Sequence, residues 1–199
     1  MERAKWGDAT PAAMLATAVV MFANFAVLSG LVETSSGILV GVWLIGAGLI
    51  QLVASLINLR EGNSLTGNIQ LFYAIVLMVI PGVLWIVKFW IATTGLPVDL
   101  RADGYVWFVL VAATIVLIPI QWKTHKLLGF TFILWAIAFA CIMLLELLII
   151  PIYAAFIVAL AFLIAGFVSI YLAALMLLGM AKAAAHAATT AAAQDKAAE

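Results

Sequence analysis

Residues 37–58, GILVGVWLIGAGLIQLVASLIN, hold no charged side chain and place their small and polar residues at helical intervals. Steps of three and four bring Gly37, Gly41, Leu44, Gly48, Gln51, Ser55 and Asn58 onto one face. The rest of the surface is aliphatic. A lipid hydrocarbon core of about 30 Å is crossed by roughly 20 apolar residues in helical form, because lipid offers no partner for an unpaired backbone group. The stretch therefore reads as a membrane-spanning helix with one narrow, amide-bearing flank.

The same pattern extends along the chain. Charge-free windows run over 9–32, 34–59, 62–87, 104–122 and 127–145, and a longer one over 147–181 contains Pro151, which cannot donate into a helix ladder and marks a helix start. The expectation is an all-α integral membrane fold of six spans, at 9–32, 34–59, 64–90, 104–122, 127–149 and 151–180. A short N-terminal tail, 1–8, precedes this single membrane domain, and an alanine-rich tail that frays, 181–199, follows it. The first span lacks a small-residue cleavage pattern and reads as retained. Composition agrees: 68% of the residues are hydrophobic and 9% charged, against about 45–50% and 25% in soluble domains.

With six spans, Arg3, Lys5, Arg60, Lys123, Lys126, Lys182 and Lys196 share the side of both termini, while Lys88 and Arg101 lie opposite. This bias places both ends in the cytoplasm of a multi-pass protein of the inner cell membrane. Trp6 and Trp122 fall at the proposed inner interface, Trp85, Trp90 and Trp107 at the outer one, and Trp43 and Trp135 deeper. Cys141 sits alone within the fifth span as a small apolar residue.

A polar side chain inside a bilayer needs another polar group or water. On the second span Gly37, Gly41, Gly48 and Ser55 suit close helix packing, while Gln51 and Asn58 can bond across helices or border a hydrated pathway. The third span adds Asn63, Thr66, Gln70 and Tyr73 at the same spacing, and the two polar flanks converge at the turn Arg60-Glu61-Gly62-Asn63. Thr17 and Asn24 on the first span and Thr131 on the fifth are further pathway candidates. Glu146, near the outer end of the fifth span, is either a solvated interfacial carboxylate or a proton-sensing group at the mouth.

His125 and His186 lie outside the spans with no second ligand at metal spacing, so neither an enzyme, a metal site nor haem ligation is expected, and no cofactor. No Gly-rich phosphate loop occurs, which argues against primary pumping.

The run Gly48-Leu49-Ile50-Gln51, then Arg60-Glu61-Gly62-Asn63-Ser64-Leu65 and Tyr73, resembles the acetate uptake transporters, also called succinate-acetate permeases. In the sixth span Gly166, Ser169, Ile170, Tyr171, Leu172 and Ala173 are similar to that family's Gly-Ala-Ser-Ala-x-Tyr-Leu-Ala run, and the resemblance covers residues 8–180. The family's Asn-Pro-Ala-Pro-Leu-Gly opening is here Asp8-Ala9-Thr10-Pro11-Ala12-Ala13. The resemblance implies a homo-hexamer with one pathway per protomer and a narrow girdle of phenylalanine, tyrosine and leucine, which falls by register on Thr17, Tyr73 and Trp135. It implies transport of a short monocarboxylate such as acetate, or of succinate, passive or proton-linked. The alternatives are a urea or short-amide channel, and a membrane subunit whose polar flanks serve assembly alone.

Overall fold

The structure, a computed structural model, describes residues 7–198, without the side chains at 187, 188 and 191–198. Arg3, Lys5 and Trp6, and the side chain of Lys196, lie outside the described residues. Six helices are long and apolar enough to cross a membrane. They are α1 (Thr10–Leu28), α2 (Gly37–Arg60), α3 (Ser64–Thr94), α4 (Arg101–Thr124), α5 (Lys126–Glu146) and α6 (Ala155–Ala198). No strand occurs among the described residues. Six crossings return the chain to the side on which it began; that side is the proximal face, and the other the distal face.

The bounds differ from the expected spans where local chemistry intervenes. α5 stops at Glu146 and the chain turns through Leu148, whose φ of 59 ends the helix short of residue 149. Pro151 is extended, and a single tight turn at Ile152–Ala154 precedes α6. The alanine-rich tail, expected to fray, continues as helix to Ala198, in keeping with alanine's high helix propensity. α3 widens into a π-type turn over Ala74–Val79 just ahead of Pro81. Proline has no N–H to give and its ring presses on the carbonyl four residues back, so the ladder is re-spaced there.

α2 lies against α1 and α3, α6 packs on α1 and α5, and α4 pairs with α5. Between helices in lipid, packing has to supply what the hydrophobic effect supplies in water, and small residues let backbones approach. The glycine flank of α2 does this against α3. A Cβ at Gly41 would lie 2.5 Å from the carbonyl oxygen of Gly82, and one at Gly82 would lie 2.7 Å from that of Gly41. Cβ atoms at Gly37 and Gly48 would meet Trp85 at 2.5 Å and Val79 at 2.6 Å. The seam is thus internal to the chain. Gly166 of the sixth-span motif does the same between α6 and α1, where a Cβ would meet Phe22 at 3.1 Å, while Tyr171 of that motif is exposed on the outer surface.

Because the obstacle at Gly41 is backbone, it cannot rotate away. Gly41→Leu is expected to destabilise the bundle by about 3 kcal/mol, at the upper end of ordinary overpacking, read as a lowered midpoint of thermal unfolding in detergent. An unchanged midpoint would mean that α2 and α3 do not touch at this crossing.

Large apolar residues such as Val42, Trp43, Val53, Phe108 and Val116 are exposed on the outside of the bundle, where lipid or another subunit covers them. Trp122 and Trp90 are also exposed, but Trp107 is buried and Trp85 half-buried, so these two of the expected belt tryptophans turn inward.

Candidate functional site

Three layers follow one another through the interior. On the proximal side Thr10, Thr17, Gln51, Asn58 and Gln70 are all buried and joined in one network between α1, α2 and α3. The amide of Asn58 donates to Thr10 Oγ1 at 3.2 Å and to Gln70 Oε1 at 2.8 Å. Gln51 Nε2 donates to the Gln70 carbonyl at 3.2 Å. The Thr17 hydroxyl, bonded to the Ala13 carbonyl at 2.9 Å, lies 3.1 Å from Gln51 Oε1. Asp8 takes part from outside, accepting from the Thr10 amide at 2.8 Å and so fixing the start of α1. The acidic residue in the altered opening motif thereby keeps an acceptor where the helix begins.

Next comes an aromatic layer. The Tyr73 ring meets Phe72 at 5.4 Å, Phe132 at 5.8 Å and Trp135 at 5.6 Å between centroids, and Trp135 continues to Phe139 at 6.4 Å. Tyr73 and Thr114 share a 2.7 Å hydrogen bond, and since the Thr114 hydroxyl donates to the Leu110 carbonyl at 2.6 Å, the tyrosine is the donor between them. This bond fixes the Tyr73 ring across the bundle axis. The residues close the interior with no side-chain charge.

Beyond the rings, a cavity of about 570 Å³ opens towards the distal face. Its wall is mostly apolar, with Met21, Leu44, Leu77, Trp107 and Phe162 among its lining, and its polar members include Asn24, Trp85, Lys88, Asp103 and Glu146, with Thr34, Ser35 and Thr93 beside them. Trp85 Nε1 donates to Asn24 Oδ1 at 3.3 Å, and the Asn24 amide bonds the Val20 carbonyl at 2.9 Å. Lys88 Nζ donates to Asp103 at 2.8 Å and to Glu146 at 2.6 Å, tying α3, α4 and α5 together.

Two polar atoms stand out. Among the described residues, Gln70 Nε2 and Trp135 Nε1 are the buried side-chain nitrogens with no hydrogen-bond partner. Gln70 is one turn before Tyr73 on α3, and Trp135 packs on the Tyr73 ring. Two uncommitted N–H donors thus lie at or next to the aromatic layer. A buried donor without an acceptor costs roughly 1–3 kcal/mol, so each is a place where an acceptor-bearing solute is welcome.

The expected site residues are distributed across these layers. Gln51, Asn58 and Gln70 meet in the network, and Thr17 joins them through Gln51. Tyr73 and Trp135 are brought into ring contact, 5.6 Å between centroids. Asn24 lines the distal cavity. Asn63 is exposed and caps α3, its Oδ1 accepting from the half-buried Thr66 amide at 3.4 Å. Thr131 is buried but bonds its own helix at Leu127, 3.0 Å away, and Ser55 does likewise at Leu52, 2.6 Å away. Glu146 is ion-paired and only partly exposed, not a freely solvated carboxylate. Thr10, Thr114, Lys88 and Asp103 escaped the sequence reading. A lone threonine in the apolar run of α4 was the signal for Thr114, whereas nothing in the spacing joins Lys88 to Asp103 and Glu146.

No family model matches the chain. No curated protein matches it in sequence either. Among solved structures it is similar to that of the bacterial acetate channel SatP, with a TM-score of 0.69 at 16% sequence identity, over 88% of this chain and 94% of that one. The two chains share a fold over most of their length.

Proposed function

We propose that this chain is a membrane channel for small carboxylic acids, with acetate the cargo of choice, and that it belongs with the acetate uptake transporters its sequence resembles. One observation carries the reading: the buried, unpartnered N–H groups of Gln70, one turn before Tyr73 on α3, and of Trp135, in contact with the Tyr73 ring. A carboxyl group crossing the aromatic layer would find both N–H groups free to donate to it. Weak, successive sites suit passage better than one tight site. The fold shared with an acetate channel supports the same conclusion.

Urea fits less well. Its carbonyl would accept from the same donors, but its N–H groups need acceptors, and Gln70 Oε1 is already engaged by Asn58. Succinate would have to draw a second carboxyl group through the aromatic layer and is expected to pass more slowly. Among the side chains joined in the proximal network none is charged, Asp8 touching it only through the Thr10 backbone amide, so proton linkage is carried by the acid itself, crossing in its neutral form. The protomer works within a homo-hexamer of the inner membrane, with both ends in the cytoplasm and one pathway in each subunit.

Labelled acetate and urea offered to proteoliposomes test the reading. Saturable acetate influx without urea influx is expected; urea influx alone, or neither, overturns it. Trp135→Phe keeps an aromatic ring but removes the N–H, and is expected to slow acetate about two- to tenfold, the effect of one hydrogen bond of roughly 0.5–1.5 kcal/mol. An unchanged rate would remove the indole from the pathway.

A further inference from the structure

At the distal mouth, the titratable side chains on the cavity wall, among the described residues, are Lys88 from α3, Asp103 from α4 and Glu146 from α5. One ammonium faces two carboxylates, and both contacts are short, at 2.8 and 2.6 Å. The three side chains retain 23%, 13% and 26% of their exposure, so they line the route and are not shut away from it.

Lys88 is the sole cation on the wall, and its ammonium is committed to both acids, leaving it little to offer an incoming anion. Asp103 lies in the first turn of α4, where the helix dipole favours a negative charge, whereas Glu146 ends α5, where the dipole opposes one and Lys88 alone holds it. The cluster therefore keeps a formal charge of −1. Nothing else on this face offsets it. Arg101 is engaged with Asp99 at 2.7 Å on the exposed α3–α4 loop, and hydrogen bonds from Arg101 hold the Asp99 carboxyl down at about 2. Glu33 adds a further acid, in the α1–α2 loop. In all, four carboxylates, Glu33, Asp99, Asp103 and Glu146, stand against two cations, Lys88 and Arg101, a formal −2 on the distal face. A low-dielectric funnel concentrates such a field on whatever passes through it.

We infer that the Lys88–Asp103–Glu146 cluster is a charge filter that turns away carboxylate anions and admits the neutral acid. The inference rests on the permeation reading above and specifies the chemical form of its substrate. Charge is what the filter reads, so Glu146→Gln, which leaves Lys88 and Asp103 as a neutral pair, removes the repulsion without removing the whole clamp. Glu146→Asp keeps the charge and serves as the conservative partner.

The test is electrical, because an anion carries current and a neutral acid does not. Wild-type protein in vesicles under an acetate gradient is expected to acidify the lumen faster than protein-free vesicles, at a rate falling about tenfold per pH unit above the acid's own pKa, as the neutral fraction does. In planar bilayers at pH 7 it should pass little acetate current. Glu146→Gln should raise that current at least threefold, and Glu146→Asp should leave it low. Equal acetate current in wild type and Glu146→Gln overturns the filter alone. So does loss of acid flux in Glu146→Gln with flux retained in Glu146→Asp, since the cluster would then be only a clamp between helices. A wild-type protein that moves neither acid nor current overturns the permeation reading, and the filter with it.

Discussion

Trp135→Ala is expected to raise the flux of acids longer than acetate, such as butyrate, about tenfold over wild type, which corresponds to a barrier lower by roughly 1.4 kcal/mol. The indole is the hub of the aromatic layer, 5.6 Å from the Tyr73 ring, 4.9 Å from Phe132 and 6.4 Å from Phe139. Tyr73 cannot swing in to refill the gap, because its hydroxyl is held on Thr114. Interiors are packed with few voids, and removing a buried tryptophan costs about 3–5 kcal/mol where the surroundings fail to collapse. The variant should therefore unfold at a lower temperature and conduct larger cargo at once. The ratio of butyrate to acetate flux in proteoliposomes checks the claim independently of how much protein survives reconstitution. If that ratio stays at its wild-type value, Trp135 does not bound the pathway.

Much of this architecture is legible in the residues because lipid enforces a strict rule. A bilayer forbids unpaired backbone and stray charge, so the charge-free windows map onto six helices. Helical periodicity then groups Gln51 and Asn58 with the glycines of α2, and the structure finds those glycines against α3. What periodicity cannot convey is the order of helices around the bundle. Lys88, Asp103 and Glu146 are interfacial residues in isolation, and only the fold, which brings the Lys88 ammonium of α3 to acids on α4 and α5, turns them into a cluster. The same limit explains Thr17. A register borrowed from a resemblance puts it in the girdle, but cannot convey that its hydroxyl bonds the Ala13 carbonyl and lies beside Gln51. Asn63 has a similar history: its spacing matches Gln70 and Tyr73, but at a helix start an asparagine side chain serves the backbone first.

The proximal network poses a sharper question, since amides that glue helices and amides that line a route can look alike. Asn58 separates the two. It donates to both Thr10 and Gln70, at 3.2 and 2.8 Å, and is buried. Asn58→Leu is close in size but leaves Gln70 Oε1 without its donor, and an orphaned buried acceptor costs about 1–3 kcal/mol. A freed Gln70 also loses the orientation that presents its Nε2 beside Tyr73, so acetate flux should fall tenfold or more. Adding Gln70→Leu replaces both partners with apolar groups, a change that is nearly neutral for stability because no polar atom of the pair is left unmet. The double variant, in which only Thr10 Oγ1 has lost its donor, is therefore expected to regain part of the lost unfolding midpoint while its flux stays low. If instead flux returns together with stability, the amides do nothing but hold α2 against α3, and the cargo takes another way through the bundle.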